Sequence, residues 1–168
     1  MTPIVLASIA VVAIFFFLVR TRTRKPSAAE EHSNWSMYHW NDESGLRILQ
    51  TRDELPNDAR KNFDVGVVIE WKYEAEGVPD EPTMKHIYEL EDAIRPIRDD
   101  QSAIHVHTIT GNGIREWCYY TADYPKFEAQ FNKLVAGMPR MPIELSHQVD
   151  PGWSYWKKLK AMASSGVA

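Results

Sequence analysis

Four side chains between Ser102 and Thr121 could take part in chemistry, namely His105, His107, Glu116 and Cys118. Imidazole, carboxylate and thiolate groups are zinc ligands, and a thiol beside an imidazole can act as a nucleophile with its base. The alternative is the polar outer face of a sheet with one cysteine near its edge. The chain has no HExxH helix motif and no CxxC pair, so this alternative is favoured, and no metal, cofactor or catalytic residue is expected.

The segment that carries these residues is predicted to be a β-hairpin. Asn112-Gly113 suits a two-residue turn in which both residues have positive φ. Closing that turn places His107 opposite Cys118 and Val106 opposite Tyr119. Because side chains alternate between faces, the four candidates are expected to share one face, while the other face belongs to the core. A three-residue turn would shift the register and separate them.

The elements around this hairpin follow from hydrophobic periodicity. Asp64–Glu74 alternates as a strand, and Pro142–Val149 is predicted to be the last strand. A helix is predicted between the first strand and the hairpin, because apolar residues recur at intervals of three and four: Met84, Ile87, Leu90, Ile94 and Ile97. Pro96 is expected to bend or end that helix. Asp123 is expected to cap a second helix. From Asp64 the order is β-α-β-β-α-β, which predicts an α+β protein with a ferredoxin-like antiparallel sheet and both helices on one face.

Aromatic segments flank this core. Trp35–Trp40 and Leu46–Thr51 are predicted to form an amino-terminal hairpin. Asp150-Pro151-Gly152 should turn the chain into a short helix, Trp153–Met162, which is too short to be stable alone and is expected to dock with Trp153 buried. Four tryptophans could seal the open sheet face or form a partner surface: Trp35, Trp40, Trp153 and Trp156.

The run Met1–Val19 is uncharged and apolar, and a basic cluster follows it. A helix of that length is roughly 28 Å long, close to the ~30 Å hydrocarbon core of a bilayer, so residues 1–19 are predicted to be a transmembrane helix that contacts the lipid bilayer. The alternative is a cleaved signal peptide, which carries its basic residues before the apolar run. The basic cluster favours the cytoplasmic side, which predicts a single-pass inner-membrane protein with a cytoplasmic soluble domain.

The rest of the chain is expected to be one domain. Residues 20–34 are predicted to be a basic and polar linker, residues 35–162 a single α+β domain, and residues 163–168 a tail. From Pro26 onward, 15 basic and 23 acidic residues give a net charge of −8, which argues against nucleic acid as a partner.

Several segments in order resemble a bacterial family known as domain of unknown function 695. They are Trp35-x-x-Tyr38, VGVVIEWKYE from Val65, YELEDAI from Tyr88, GIREWCYY from Gly113, and Asp150-Pro-Gly-Trp153. The resemblance covers residues 33–159 and implies no activity. It implies a ferredoxin-like core, similar in architecture to the regulators of ribonuclease E. By analogy of fold alone, this suggests a regulator of an RNA-processing enzyme that binds protein rather than RNA.

The favoured function is therefore a membrane-anchored, non-catalytic protein-binding or regulatory module. The alternative is a metal-dependent or cysteine-based enzyme that uses the face predicted to carry His105, His107, Glu116 and Cys118.

Overall fold

The computed structural model describes residues 35–43, 45–55, 59–75, 77–99 and 102–164. This part of the chain folds into six strands and four helices. The strands are β1 (Trp35–Asp42), β2 (Gly45–Arg52), β3 (Val65–Lys72), β4 (Ala103–Gly111), β5 (Ile114–Thr121) and β6 (Ile143–Val149). The helices are α1 (Ala59–Asn62), α2 (Glu81–Asp99), α3 (Tyr124–Val135) and α4 (Ser154–Ser164).

All six strands form one antiparallel sheet in the order β1-β2-β4-β5-β3-β6. The hairpin β1-β2 is part of this sheet, because β2 pairs with β4 from Ile48↔Thr110 to Thr51↔His107. The predicted fold class is thus wrong in treating the hairpin as an addition to a four-stranded ferredoxin-like sheet. Alternation of side chains indicates that a segment is a strand, but it does not indicate which strand lies beside it.

The predicted fold class is corrected a second time, because the described residues contain no transmembrane helix. None of the helices in the described ranges is long and apolar enough to cross a membrane. The run Met1–Val19, on which that prediction rests, lies outside the described residues.

Helices α2 and α3 cover one face of the sheet. All five apolar residues predicted for α2 are buried. They pack against the buried side chains of β3 and β5 on that face, and Phe127 and Phe131 of α3 belong to the same core. Full burial of one such aliphatic side chain stabilises the fold by about 1.5–3 kcal/mol. Asp123 caps α3 as predicted, with its Oδ1 accepting from the Lys126 amide at 3.0 Å. Helix α2 runs through Pro96 to Asp99, so Pro96 does not end the helix, which was one of the two predicted outcomes.

The opposite face of the sheet carries a second, aromatic core under α4. Trp153, just before this helix, is fully buried, as predicted, and its ring stacks on Tyr120 with the centroids 3.9 Å apart. Trp156 packs edge-on against Trp153, and the cluster also contains Val106, Cys118 and Ala59 of α1. The short helix is therefore held by tertiary packing rather than by its own propensity.

Candidate functional site

A β-bulge in β4 separates the two histidines that the sequence places on one face. The turn is as predicted, with Asn112 and Gly113 at φ of 55° and 73°, and His107 does lie opposite Cys118. The register then shifts, so that His105 rather than Val106 lies opposite Tyr119. The predicted common face for His105 and His107 is therefore wrong, because a bulge adds one residue and reverses the alternation beyond it.

His105 lies on the face covered by α2 and α3. Its ring stands between Tyr119 and Trp35, with centroid distances of 4.8 and 5.2 Å. Its Nε2 lies 2.9 Å from the carbonyl oxygen of His107, which can only accept, so this nitrogen carries a hydrogen. Burial lowers the pKa of His105 well below 6.5, and the charge of Arg98 lowers it further. His105 is thus a neutral packing residue.

His107, Glu116 and Tyr155 form a hydrogen-bonded cluster under α4. His107 Nε2 and the Tyr155 hydroxyl each lie 2.8 Å from Glu116 Oε1, and both donate to it because a carboxylate only accepts. The His107 side chain is fully buried and that of Glu116 is 9% exposed. Among the described residues, His107 Nδ1 has no hydrogen-bond partner. The cluster joins α4 to β4 and β5, and the Glu116 oxygen that accepts both hydrogen bonds is engaged within it.

Cys118 is fully buried beside this cluster. Burial raises the pKa of its thiol well above 9, and the nearby carboxylates of Glu116 and Asp150 raise it further. A nucleophilic cysteine needs the opposite environment, with positive charge or a helix amino terminus that stabilises the thiolate. The predicted alternative of Cys118 attacking with His107 as base therefore has no support in the electrostatics.

A pocket of about 290 Å³ borders the cluster on the side of β3 and β6. Its lining includes Glu116, Cys118, Ser146 and Tyr155. Glu116 and Tyr155 are hydrogen-bonded to each other, and the thiol of Cys118 remains protonated. Cys118 is thus not an activated nucleophile for this pocket.

The same geometry separates His105 from the other three metal-site candidates. Within the described ranges, no group of three or more His, Cys, Asp or Glu side chains is placed to hold a metal ion. We expect purified full-length protein to contain less than one zinc per chain after dialysis against zinc, because His105 faces away from the other candidates. Atomic absorption would measure this. One zinc per chain, lost in both His105→Ala and His107→Ala, would contradict the assignment.

The four tryptophans proposed as a partner surface divide into two pairs. Trp153 and Trp156 are buried, and their indole N–H groups donate to Phe63 O at 2.6 Å and Thr51 Oγ1 at 3.2 Å. Trp35 is 36% exposed and Trp40 is half-buried, and both belong to β1. The accessible aromatic surface is therefore at the β1 edge of the sheet.

Strand β1 forms one edge of the sheet among the described strands and carries exposed side chains. Its exposure alternates, with Trp35, Met37, His39 and Asn41 exposed and the residues between them half-buried. No described strand pairs with its outer side. Residues 35–41 include no Lys, Pro or acidic residue, although natural edge strands commonly carry such residues to prevent pairing.

The hairpin register shows which backbone groups of β1 point outward. Asp42 and Gly45 close a two-residue turn, and such a pair exchanges both of its backbone hydrogen bonds. Hydrogen-bonded and non-hydrogen-bonded pairs then alternate along an antiparallel ladder. The residues whose N–H and C=O groups point away from β2 are therefore Trp35, Met37, His39 and Asn41.

The aromatic residues of β1 were visible in the sequence. That β1 forms the edge of the sheet was not, because this depends on the pairing of β2 with β4.

These features define an α+β domain in which Glu116 and His107 are hydrogen-bonded to each other and Cys118 is buried. Strand β1 lies at the edge of the described sheet. The model of the DUF695 family, a family of unknown function, matches residues 33–159, and the chain belongs to that family. No curated protein matches the chain.

Proposed function

We propose that this domain is a non-catalytic protein-binding module that adds an extended segment of its partner to the outer edge of β1. The observation that carries the proposal is an eight-residue edge strand whose outer side pairs with no described strand, with outward backbone groups at Met37 and His39 and with exposed apolar side chains. Strand addition uses such groups for affinity and the alternating side chains for specificity.

The side chains of β1 favour an uncharged, partly apolar partner segment. Met37 is 52% exposed, and Trp35 lies under the guanidinium of Arg52, with Arg52 Cζ 5.3 Å from the ring centroid. The charge of Arg52 is thus directed over an aromatic face rather than into solvent. Residues 35–41 contain no Lys, Arg, Asp or Glu, so backbone pairing and apolar contact would supply most of the affinity.

The absence of catalysis in this proposal rests on the state of the reactive groups. His105 is neutral and packed, Cys118 is protonated and buried, and Glu116 accepts two internal hydrogen bonds. No specific observation favours the enzyme alternative.

The outward backbone groups allow a selective test. His39→Pro removes an outward N–H and leaves the β1-β2 hydrogen bonds in place, whereas His39→Thr keeps the N–H and changes the side chain. With a photoreactive amino acid at Met37 of the full-length chain, we expect a cross-linked partner in cells with wild type and His39→Thr, and a loss of at least ten-fold with His39→Pro.

Hydrogen exchange provides the second measurement. The amides of Met37 and His39 should gain protection in the cross-linked or co-purified complex, whereas the inward amide of Tyr38 is already protected in the free chain. A cross-link that persists in a folded His39→Pro variant would exclude strand addition.

A further inference from the structure

Strand β6 forms the second edge of the described sheet, and its register shows which of its backbone groups point outward. The Lys72 amide donates to Pro142 O at 3.1 Å at one end of the β3-β6 ladder. The Asp150 amide donates to Asp64 O at 2.7 Å at the other end. Because bonded and non-bonded pairs alternate, the residues whose N–H and C=O groups point away from β3 are Leu145, His147 and Val149. No described strand pairs with this side.

An apolar groove of about 300 Å³ lies between this edge and α3. Its apolar lining comes from α3, from β6 and from the segment that joins them: Phe131, Val135, Met138, Met141, Ile143 and Leu145. Leu145 points to this face because it pairs with Ile69, which belongs to the core under α2 and α3. Residues 136–142 connect α3 directly to β6, so the chain itself closes one end of this β6 groove.

The opposite face of β6 is polar. Ser146 and Gln148 line the pocket on the α4 side, and Glu144 is paired with Lys72 at 2.7 Å. Directly opposite residues of neighbouring strands share a face. A strand added to β6 would therefore meet apolar side chains on one face and polar side chains on the other. This pattern favours an extended segment with an apolar residue at every second position.

The two ends of the β6 groove carry opposite charges. Arg140 lines the groove at the closed end, just before β6 begins. Glu128 lines it at the other end, where it accepts from the Tyr124 hydroxyl at 2.8 Å. The Tyr124 ring stacks on His147, late in β6, with the centroids 3.6 Å apart. A segment antiparallel to β6 brings its carboxyl end to Arg140 and its amino end toward Glu128, whereas a parallel segment would place like charges together.

We propose that the β6 groove is a second protein-binding site, which takes the carboxyl-terminal segment of a partner protein as a strand antiparallel to β6. The terminal carboxylate binds the guanidinium of Arg140 at the closed end of the groove, where a chain that ends fits better than one that continues. Apolar side chains at alternate positions enter the groove, and a basic residue upstream lies near Glu128. Strand addition and capture of a terminal carboxylate are both known modes of peptide recognition. This site lies at the opposite edge of the sheet from β1 and does not depend on the proposed use of β1.

A synthetic octapeptide tests the site on the full-length protein. It begins with two lysines, continues with alternating threonine and valine, and ends in valine with a free carboxylate, so it is long enough to pair along all of β6. One control peptide has the same sequence with an amidated carboxyl end, and the other has the same composition with consecutive valines. Fluorescence polarisation measures binding. We expect a micromolar Kd for the alternating free-acid peptide and at least three-fold weaker binding of each control.

Arg140→Gln tests the contact with the terminal carboxylate. Arg140 is exposed, so the substitution should leave the fold intact. It should weaken binding of the free-acid peptide about three- to five-fold, as expected for a solvent-accessible ion pair, and leave binding of the amidated peptide unchanged. Lys133→Gln is the matched control, because it removes one exposed positive charge from α3 outside the groove lining. Its affinity should equal that of wild type.

Hydrogen exchange locates the bound peptide. The amides of Leu145 and His147 should gain protection on binding, whereas the Ser146 amide is already bonded to β3. Absence of binding, equal binding of the free-acid and amidated peptides, or unchanged exchange at Leu145 would overturn the inference. His39→Pro should bind the peptide as wild type does. A failure at β6 is thus distinguishable from a failure of the proposed function at β1.

Discussion

Trp153→Ala is expected to lower the free energy of unfolding by about 3–5 kcal/mol, as removal of a fully packed aromatic side chain does elsewhere. Trp153 is 0% exposed, stacks on Tyr120 and donates its indole N–H to the carbonyl of Phe63. Alanine removes the stacked ring and leaves that buried carbonyl without its donor. Alanine also keeps a Cβ, so strain from the φ of 54° at this position is retained. Urea unfolding followed by far-UV circular dichroism would measure the loss.

Met162→Ala is the matched control for this variant. Met162 lies in α4, which Trp153 directly precedes, but is 45% exposed, so its truncation should change the unfolding free energy by no more than about 0.5 kcal/mol. Equal stability of the two variants would mean that α4 does not depend on the aromatic core.

Asp150→Ala is expected to destabilise the fold by about 2–4 kcal/mol, through loss of a helix cap and of a buried hydrogen bond. Asp150 Oδ1 accepts from the Ser154 amide and hydroxyl at 2.8 Å each, and Oδ2 accepts from the Tyr120 hydroxyl at 2.7 Å. Without the carboxylate, the first amides of α4 and the buried hydroxyl of Tyr120 lose their acceptor. Thermal unfolding at pH 7 would measure the effect.

The same carboxylate makes stability dependent on acid pH. Burial alone would raise the pKa of Asp150, but hydrogen bonds from the Ser154 and Tyr155 amides and the Tyr120 and Ser154 hydroxyls outweigh it and lower the pKa from 3.8 to about 2. A lowered folded-state pKa stabilises the fold above about pH 4, and this contribution is lost as the pH falls toward 2. It is worth about 2 kcal/mol at neutral pH. The loss between pH 4 and 2 should be smaller by that amount in Asp150→Asn, and parallel curves would contradict the assignment.

The helices and strands were predictable because their signals are local. The apolar spacing from Met84 to Ile97, the Asn112-Gly113 turn and the Asp123 cap each depend on residues close in sequence, and the structure contains all three. The strand register near the turn followed from the turn itself, so His107 was correctly placed opposite Cys118.

What the sequence could not supply were features set by distant residues. The pairing of β2 with β4 joins segments about 60 residues apart, and no local pattern encodes it. Glu91 on α2 illustrates the same point. Its Oε1 accepts from Arg115 at 2.6 Å and from the Trp117 indole at 2.8 Å, contacts between a helix and a strand that helical spacing does not indicate. The bulge at Val106 likewise has no turn or glycine to mark it.

That bulge determines how many side chains β4 contributes to each face of the sheet. In a regular strand, the neighbours Val106 and His107 would point to opposite faces. Here the extra residue lets Val106 pack with Trp153 and Tyr120 while His107 packs against Tyr155. Strand β4 thus contributes two consecutive side chains to the face of the sheet that is packed against the 11-residue helix α4. The one extra residue moves a side chain of β4 to the α4 side of the sheet, and the packing of α4 depends on that side chain.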